Sequence, residues 1–81
     1  MSDKAKPAMK LRDRNLSVTI WKNQGDNGPW FSVTPARAYK AGDQWKESDS
    51  YSDDELLRLA ILFQDAYRWI RDAAQAERQA A

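Results

Sequence analysis

Aromatic rings stand close to positively charged side chains at several points of the sequence, a pairing that suits the binding of single-stranded nucleic acid. Flat rings stack on bases and cations contact phosphates, and each base stack contributes about 1–3 kcal/mol. A small domain also needs large side chains in its core, the role we expect for Trp69, whereas Trp30 and Trp45 suit either role. The candidate nucleic-acid-binding residues are Trp21, Lys22, Trp30, Arg37, Tyr39, Lys40, Trp45 and Lys46.

Cysteine and histidine are absent from the 81 residues, which removes much of enzyme chemistry. Without them there is no thiolate nucleophile, no common zinc ligand set and no imidazole base. The acidic run at residues 48–55 lacks the glycine and the ligand spacing of a calcium loop. Gly25 and Gly28 lack the lysine and the helix that follow in a phosphate-binding loop. We therefore expect a protein that is not an enzyme and that holds neither a metal ion nor a cofactor.

The charge is distributed unevenly, although 13 basic and 12 acidic residues nearly cancel. Residues 1–46 contain nine basic and four acidic side chains, whereas residues 47–81 contain four basic and eight acidic ones. Such segregation is typical of a basic face that meets an anion, although any small domain must also place its charges somewhere. Arg12, Arg14 and the N-terminal lysines would add non-specific attraction to that face.

Alternation of apolar and polar residues predicts an antiparallel sheet of three or four strands. Leu16, Val18 and Ile20 point to one side, so that Trp21 points to the other. Short segments rich in Gly, Asn and Asp separate the alternating stretches, and their composition favours turns. The predicted strands are 16–22, with a start as early as residue 10, then 30–40 and 45–51, with a loop at 23–29 and a turn at 41–44.

Pro35 interrupts the second predicted strand because proline donates no hydrogen bond to a ladder. The strand must therefore lie at an edge there or carry a bulge. Arg37 and Tyr39 share the side of Phe31 and Val33. They reach the outer face only if a bulge at Pro35 shifts the register, and the sequence leaves this open.

The run Ser52-Asp53-Asp54-Glu55 has the pattern of a capping box and predicts a long helix from Asp53. Neither Gly nor Pro interrupts the following residues, which predicts roughly 26 residues, a length of about 39 Å and a frayed last turn. Residues 1–10 are predicted to form a flexible basic tail. One β-β-β-α domain then occupies residues 11–79, and the fold class is α+β.

The predicted helix has two apolar faces, and one sheet covers only one of them. A sheet with strands of six or seven residues is about 20 Å long, and burying each remaining large side chain is worth about 1.5–3 kcal/mol. We therefore expect a homodimer in which the helix ends or the second face pack on a two-fold mate; the alternative is a helix that wraps a thick core with its second face half exposed. The first apolar face, which we assign to the dimer interface, consists of Leu59, Leu62, Ala66, Trp69 and Ala73. The second apolar face consists of Leu56, Ala60, Phe63, Tyr67, Ile70 and Ala74, widened by Leu57 and Ile61.

No apolar run approaches the roughly 18 to 20 residues that span a membrane, and residues 1–9 lack the apolar stretch of a signal peptide. The lack of cysteine fits a reducing compartment. We expect a cytoplasmic protein without a membrane partner.

Several short runs resemble a group of small bacterial proteins without an established activity, some of them carried by mobile elements. The likeness covers about residues 10–70. In topology alone, strands followed by one long helix are similar to the Whirly and transcriptional-coactivator proteins, which are dimers that bind single-stranded DNA on their sheets. A three-stranded sheet with one helix also resembles the integrase amino-terminal and plant ethylene-response-factor domains, which lay the sheet in the major groove. The runs that carry the likeness are Trp21-Lys22-Asn23, GPWFSVT at 28–34, Arg37, Tyr39-Lys40, Trp45-Lys46 and Asp49-Ser50.

Two hypotheses follow for the function. The first is a nucleic-acid-binding protein that prefers single-stranded DNA and uses the sheet of a homodimer. The second is a protein-interaction module, such as a small regulator or inhibitor from a mobile element, that acts through the apolar helix or an unpaired strand edge. The net charge of +1 favours the second, because many nucleic-acid binders are far more basic.

Overall fold

A computed structural model describes residues 6–80 of the chain, with side chains described for residues 6–77. It confirms the α+β arrangement of an antiparallel sheet followed by one C-terminal helix. The sheet has four strands, which lie in their order along the chain and pair antiparallel throughout. The elements are β1 (Pro7–Asp13), β2 (Leu16–Gly25), β3 (Gly28–Ala41), β4 (Gln44–Ser48) and α1 (Asp53–Ala80).

The three hairpin turns each contain two residues. Arg14 opens the β1–β2 turn with a φ of 59°. Residues other than glycine seldom adopt a positive φ, and those that do are mostly Asn, Asp or His. Gly42 opens the β3–β4 turn with a φ of 65°, the sign that type I′ and II′ hairpin turns have at their first central position. The β2–β3 turn consists of Asp26 and Asn27, between the paired residues Gly25 and Gly28.

Four predicted boundaries change, one of which is the third predicted strand (45–51), since β4 ends at Ser48. The first predicted strand with its early start is two strands, since the chain reverses at Arg14 and Asn15. Residues 7–10, predicted as part of a tail, pair with β2, while residues 1–5 lie outside the described part. Most of the predicted loop at 23–29 belongs instead to the paired ends of β2 and β3.

The core lies between one face of the sheet and α1. Leu16, Val18 and Ile20 on β2 are fully buried, and the helix contacts β2 most, then β1 and β3. Among the described residues α1 makes no contact with β4. Phe31 and Trp69 close one end of this core with their rings edge to face, 5.9 Å between centroids, which agrees with the expected core role of Trp69.

Pro35 lies at an edge, one of the two alternatives that its ring allows. It pairs with Val18 of β2, while the pairing of β3 with β4 extends only from Arg37 to Ala41. The register of β2 with β3 has no shift along its whole length. No bulge therefore moves Arg37 to the other face of the sheet.

Glu55 ties the start of α1 to the sheet. Its carboxylate accepts a hydrogen bond from the Ser52 backbone N–H (2.9 Å) and another from the Asn15 side chain (3.2 Å), and it lies 3.5 Å from Arg37 Nε. The Ser52 hydroxyl donates to Asp54 (2.6 Å), so only the Glu55 half of the predicted capping box forms. This contact fixes the angle at which the chain leaves β4 and enters α1.

The sheet covers the first apolar face of the helix. Leu59, Leu62 and Ala66 are 8%, 5% and 1% exposed, and Trp69 packs on the same core. Leu59, Leu62 and Ala66 therefore have little surface left for a mate, while Trp69 and Ala73 are half-buried, and the assignment of the first apolar face to a dimer interface is revised. Most of the second apolar face is exposed, although Ile70 packs against the core. No helix within the described residues combines the length and apolar character needed to cross a membrane.

Candidate functional site

The face of the sheet opposite α1, here called the outer face, carries three of the four tryptophans. The alternation of the strands decides which residues share it: Ser17 pairs with Ala36 there, while the neighbouring Leu16 pairs with Arg37 on the helix side. The outer face consists of Lys10 and Arg12 on β1, Ser17, Thr19, Trp21 and Asn23 on β2, Trp30, Ser32, Thr34, Ala36, Ala38 and Lys40 on β3, and Trp45 and Glu47 on β4.

Three indoles lie on the outer face. Trp45 and Trp30 are 68% and 54% exposed, and Trp21 is half-buried. The Trp21 indole N–H donates to the hydroxyl of Thr34 across the strands (3.0 Å), which holds this ring down on the sheet. The three rings therefore differ: one is anchored by a hydrogen bond, and two present most of their surface to water.

The exposed indoles lie at opposite ends of the face. Trp30 pairs with Asn23 beside the β2–β3 turn, whereas Trp45 pairs with Lys40 beside the β3–β4 turn. Lys40 lies ten positions after Trp30 on β3, a distance of about 33 Å along a strand. Small side chains, Ala36 among them, form the floor between them. An extended polymer can therefore lie along the face and meet a ring near each end.

Positive side chains outnumber negative ones on the outer face. Lys10, Arg12 and Lys40 lie there with Glu47 as the single acid among the described residues. All three cations are exposed. None of the ion pairs found in the described part of the chain involves them. An anion that approaches this face would therefore find cations along the β1 edge and at the β4 end.

Two clefts indent the outer face, so it is not flat. One of about 480 Å³ lies beside Trp45 and is also lined by Arg12, Arg14 and Lys46. Another of about 290 Å³ lies beside Trp21 and is also lined by Lys10. Each of these two clefts combines an indole with at least one cation, the two components that bind a nucleotide, and Glu47 also lines both.

The eight candidate residues divide equally between the two sides of the sheet. Trp21, Trp30, Lys40 and Trp45 lie on the outer face, as described above. The register places the other four on the helix side, namely Lys22, Arg37, Tyr39 and Lys46. Since Lys46 follows Trp45 directly, it still lines the rim of the larger cleft.

Two of the helix-side cations already have partners. Lys22 forms an ion pair with Glu77 near the end of α1. Arg37 donates from Nε to the backbone carbonyl of Ser50 (2.8 Å) and also stacks over the ring of Tyr39, 5.5 Å from its centroid. The Lys22–Glu77 pair joins the sheet to the helix, and the contacts of Arg37 hold its guanidinium on the helix side of the sheet. They answer the question that the sequence left open, since Arg37 and Tyr39 do not reach the outer face.

Lys10 and Arg12 belong to the outer face but were predicted only as sources of non-specific attraction. They alternate with Leu11, whose side chain packs against the core. That period-two alternation was present in the sequence, and it places both cations on the outer face once residues 7–13 form a strand of their own.

No family model matches the chain, and neither a curated protein nor a solved structure matches it.

Proposed function

We propose that the protein binds single-stranded nucleic acid, single-stranded DNA foremost, on the outer face of its sheet. One observation carries the proposal: two clefts on that face each pair an indole with at least one cation, and the exposed indoles Trp30 and Trp45 lie near opposite ends of the face, about 33 Å apart along the strands. Stacking rings combined with a positively charged groove are the arrangement that binds unpaired strands without strong sequence preference.

In this binding mode Trp30 and Trp45 stack on unpaired bases near the two ends of the track. Lys10, Arg12 and Lys40 contact phosphates between and beside them. The small side chains of the floor allow the backbone of the strand to approach the sheet. Each stack contributes about 1–3 kcal/mol, and each phosphate contact makes affinity fall further as salt rises.

The exposure of the indoles favours single strands over a duplex. Trp45 is 68% exposed and Trp30 is 54% exposed, so each has an open ring to offer. In a duplex the faces of the bases are stacked on one another, and only their edges are accessible in the grooves. A protein that offers open rings therefore gains most from bases that are unpaired.

The alternative function is a protein-interaction module, such as a small regulator from a mobile element. The observation that favours it is the exposed second apolar face of α1, on the opposite side of the molecule. The two functions use different surfaces, so variants separate them. In either case the lack of cysteine accords with our proposal of a cytoplasmic location.

Titration of tryptophan fluorescence tests the proposal with oligo-dT, duplex DNA and single-stranded RNA as probes. We expect quenching by oligo-dT at low salt, weaker quenching by duplex, and an affinity that falls steeply with salt. The RNA arm decides between DNA and RNA as the preferred strand. Quenching by none of the probes, or an affinity that is the same at low and high salt, contradicts the proposal.

Matched variants locate the surface. Trp45→Ala should weaken oligo-dT binding by roughly tenfold, the loss of one base stack. Arg12→Gln should reduce the salt dependence by about one phosphate contact. Lys22→Gln removes the same charge from the helix side and should leave both quantities unchanged. If Lys22→Gln weakens binding as much as Arg12→Gln, binding does not use the outer face.

A further inference from the structure

The second apolar face of α1 carries more apolar surface than a soluble helix normally leaves in water. Its Phe63 and Tyr67 are larger than any of the buried core side chains, which are all aliphatic. A broad exposed apolar patch of this kind usually marks a contact surface. The exposed fractions are 73% for Leu57, 60% for Tyr67, 54% for Leu56, 49% for Ile61 and 39% for Phe63.

One charged residue of each sign flanks this patch along the helix. Asp53 lies at the start of the helix, before the apolar residues, and Arg71 follows them, whereas Arg68 already pairs with Asp65 (3.9 Å). Arg71 is held in place on the patch, because its Nη1 donates to the Tyr67 hydroxyl (3.4 Å) and its guanidinium lies 5.7 Å from the centre of that ring. When such a helix meets a copy of itself running the opposite way, Asp53 of each copy faces Arg71 of the other.

We propose that the occupant of the second apolar face is a second copy of this chain, docked with its helix antiparallel. With the two-fold axis level with Leu62, Asp53 lies opposite the partner's Arg71, and Leu57 lies opposite the partner's Tyr67. Ala60 then lies next to the axis opposite the partner's Gln64, so that a small side chain meets a larger polar one there. The antiparallel arrangement also sets each helix dipole against the other favourably.

The contact is isologous, so every pair occurs twice. From Asp53 to Arg71 the helix is about 27 Å long, and one helix pair buries less than the standard stable interface of roughly 1,600 Å². We therefore expect a dimer that dissociates at micromolar concentrations.

The dimer also has a consequence for nucleic-acid binding, and this consequence rests on the proposed function. α1 covers the inner face of the sheet, so a contact through its outward side leaves both outer faces turned away from each other. One dimer then binds two separate strands, and oligo-dT should titrate at two strands per dimer. Dimerisation itself requires no nucleic acid and is measured without it.

Sedimentation equilibrium of the full chain, without nucleic acid, tests the pairing. The 9.3 kDa chain should approach twice that mass as its concentration rises from about 1 to 200 μM. Leu57→Glu places a charge in the contact and should weaken dimerisation by about a hundredfold, while circular dichroism should stay unchanged because the position is 73% exposed. Arg12→Glu, on the outer face, is the matched control and should leave the dimer intact.

A charge exchange tests the antiparallel register. Asp53→Arg alone and Arg71→Glu alone each create two repulsive pairs and should weaken dimerisation by roughly tenfold. The double variant restores opposite charges and should recover most of the original affinity.

Three results would overturn the inference. A monomer at every concentration means that a different protein, or none, covers the face. A Leu57→Glu chain that dimerises as before means that the copies meet elsewhere. A double charge variant no stronger than either single one contradicts the antiparallel register. None of these results bears on oligo-dT binding by a monomer, so the two proposals fail separately.

Discussion

The indole of Trp30 lies against the backbone of Gly25 on the outer face. A Cβ atom added to Gly25 would come within 3.3 Å of both Cδ1 and Nε1 of that ring. The glycine therefore provides the room in which Trp30 rests, and one face of the indole is supported by the neighbouring strand. A ring fixed in this way loses little conformational freedom when a base stacks on its open side.

Gly25→Ala should move the Trp30 ring without harming the fold. The contact forces the indole to shift by a few tenths of an ångström, while alanine in a strand removes the entropic cost of glycine, about 0.5–1 kcal/mol. We expect a changed tryptophan emission maximum, oligo-dT affinity reduced by roughly twofold to tenfold, and a melting temperature that does not fall.

Gly28→Ala is the contrasting variant. Nothing lies within 4 Å of a Cβ at Gly28, but its φ of 112° is strained for any other residue. It should cost about 1–3 kcal/mol of unfolding free energy and leave the folded emission of Trp30 alone. If Gly25→Ala lowers stability and leaves the emission unchanged, the ring does not rest on this glycine.

Glu55 should make part of the stability depend on acid pH. The hydrogen bond from the Ser52 backbone is the main reason that the pKa of this carboxyl lies below its ordinary value; burial opposes it, while Asn15 and Arg37 add to the lowering. The charged form is thus favoured in the folded state. Its contribution is complete above about pH 4.3, the ordinary value, and is lost as the pH falls through the lower folded pKa.

Urea unfolding of Glu55→Gln at pH 7 and near pH 2 measures this contribution. The variant should be less stable than the wild type at pH 7 and should lose less stability on acidification, because glutamine does not titrate. Asn15→Ala removes one of the stabilising hydrogen bonds, so its loss of stability on acidification should lie between those of the wild type and Glu55→Gln. Parallel pH curves for the wild type and Glu55→Gln would show that this carboxyl does not contribute.

The strands and the helix could be predicted because their patterns repeat over many residues. Leu16, Val18 and Ile20 alternate, and nothing breaks the helix after Asp53. The β1–β2 turn could not be predicted, because Arg14 adopts a positive φ that arginine rarely takes. Without that turn the first two strands look like one, and residues 7–10 look like a tail.

Strand alternation predicted the side of the sheet correctly for part of the candidate site only. Trp21 follows from the parity of β2, and its outer position required no long-range information. Lys22 and Lys46, by contrast, were grouped with their neighbouring rings by sequence adjacency, although adjacent residues of a strand face opposite sides. Arg37 depended on a possible bulge at Pro35, which only the β2–β3 register decides.

A pair of leucine variants should separate the two faces of the helix. Leu62 is 5% exposed and packs in the core, whereas Leu57 is 73% exposed. Leu62→Ala should cost about 2–5 kcal/mol, much of the stability of so small a domain. Leu57→Ala, measured below the dimer concentration, should stay within about 0.5 kcal/mol of the wild type. Equal losses in chemical denaturation would contradict the assignment of the faces.

Tyr51 should destabilise the protein at alkaline pH. Its hydroxyl is buried without a hydrogen-bond partner among the described residues. Burial, followed by the negative charge of Asp49, raises the pKa of this phenol, with Arg37 acting in the opposite direction. The folded state therefore favours the neutral ring, and stability falls as the pH rises above about 10, where the unfolded chain ionises.

Tyr51→Phe removes the unpaired hydroxyl and keeps the ring. We expect its unfolding free energy at pH 7 to equal that of the wild type or to exceed it by up to about 1 kcal/mol, since no hydrogen bond is lost and a buried polar group disappears. Between about pH 9 and 11 the variant should lose less stability than the wild type. A loss of more than about 1 kcal/mol at pH 7 would instead mean that the hydroxyl makes a hydrogen bond in solution.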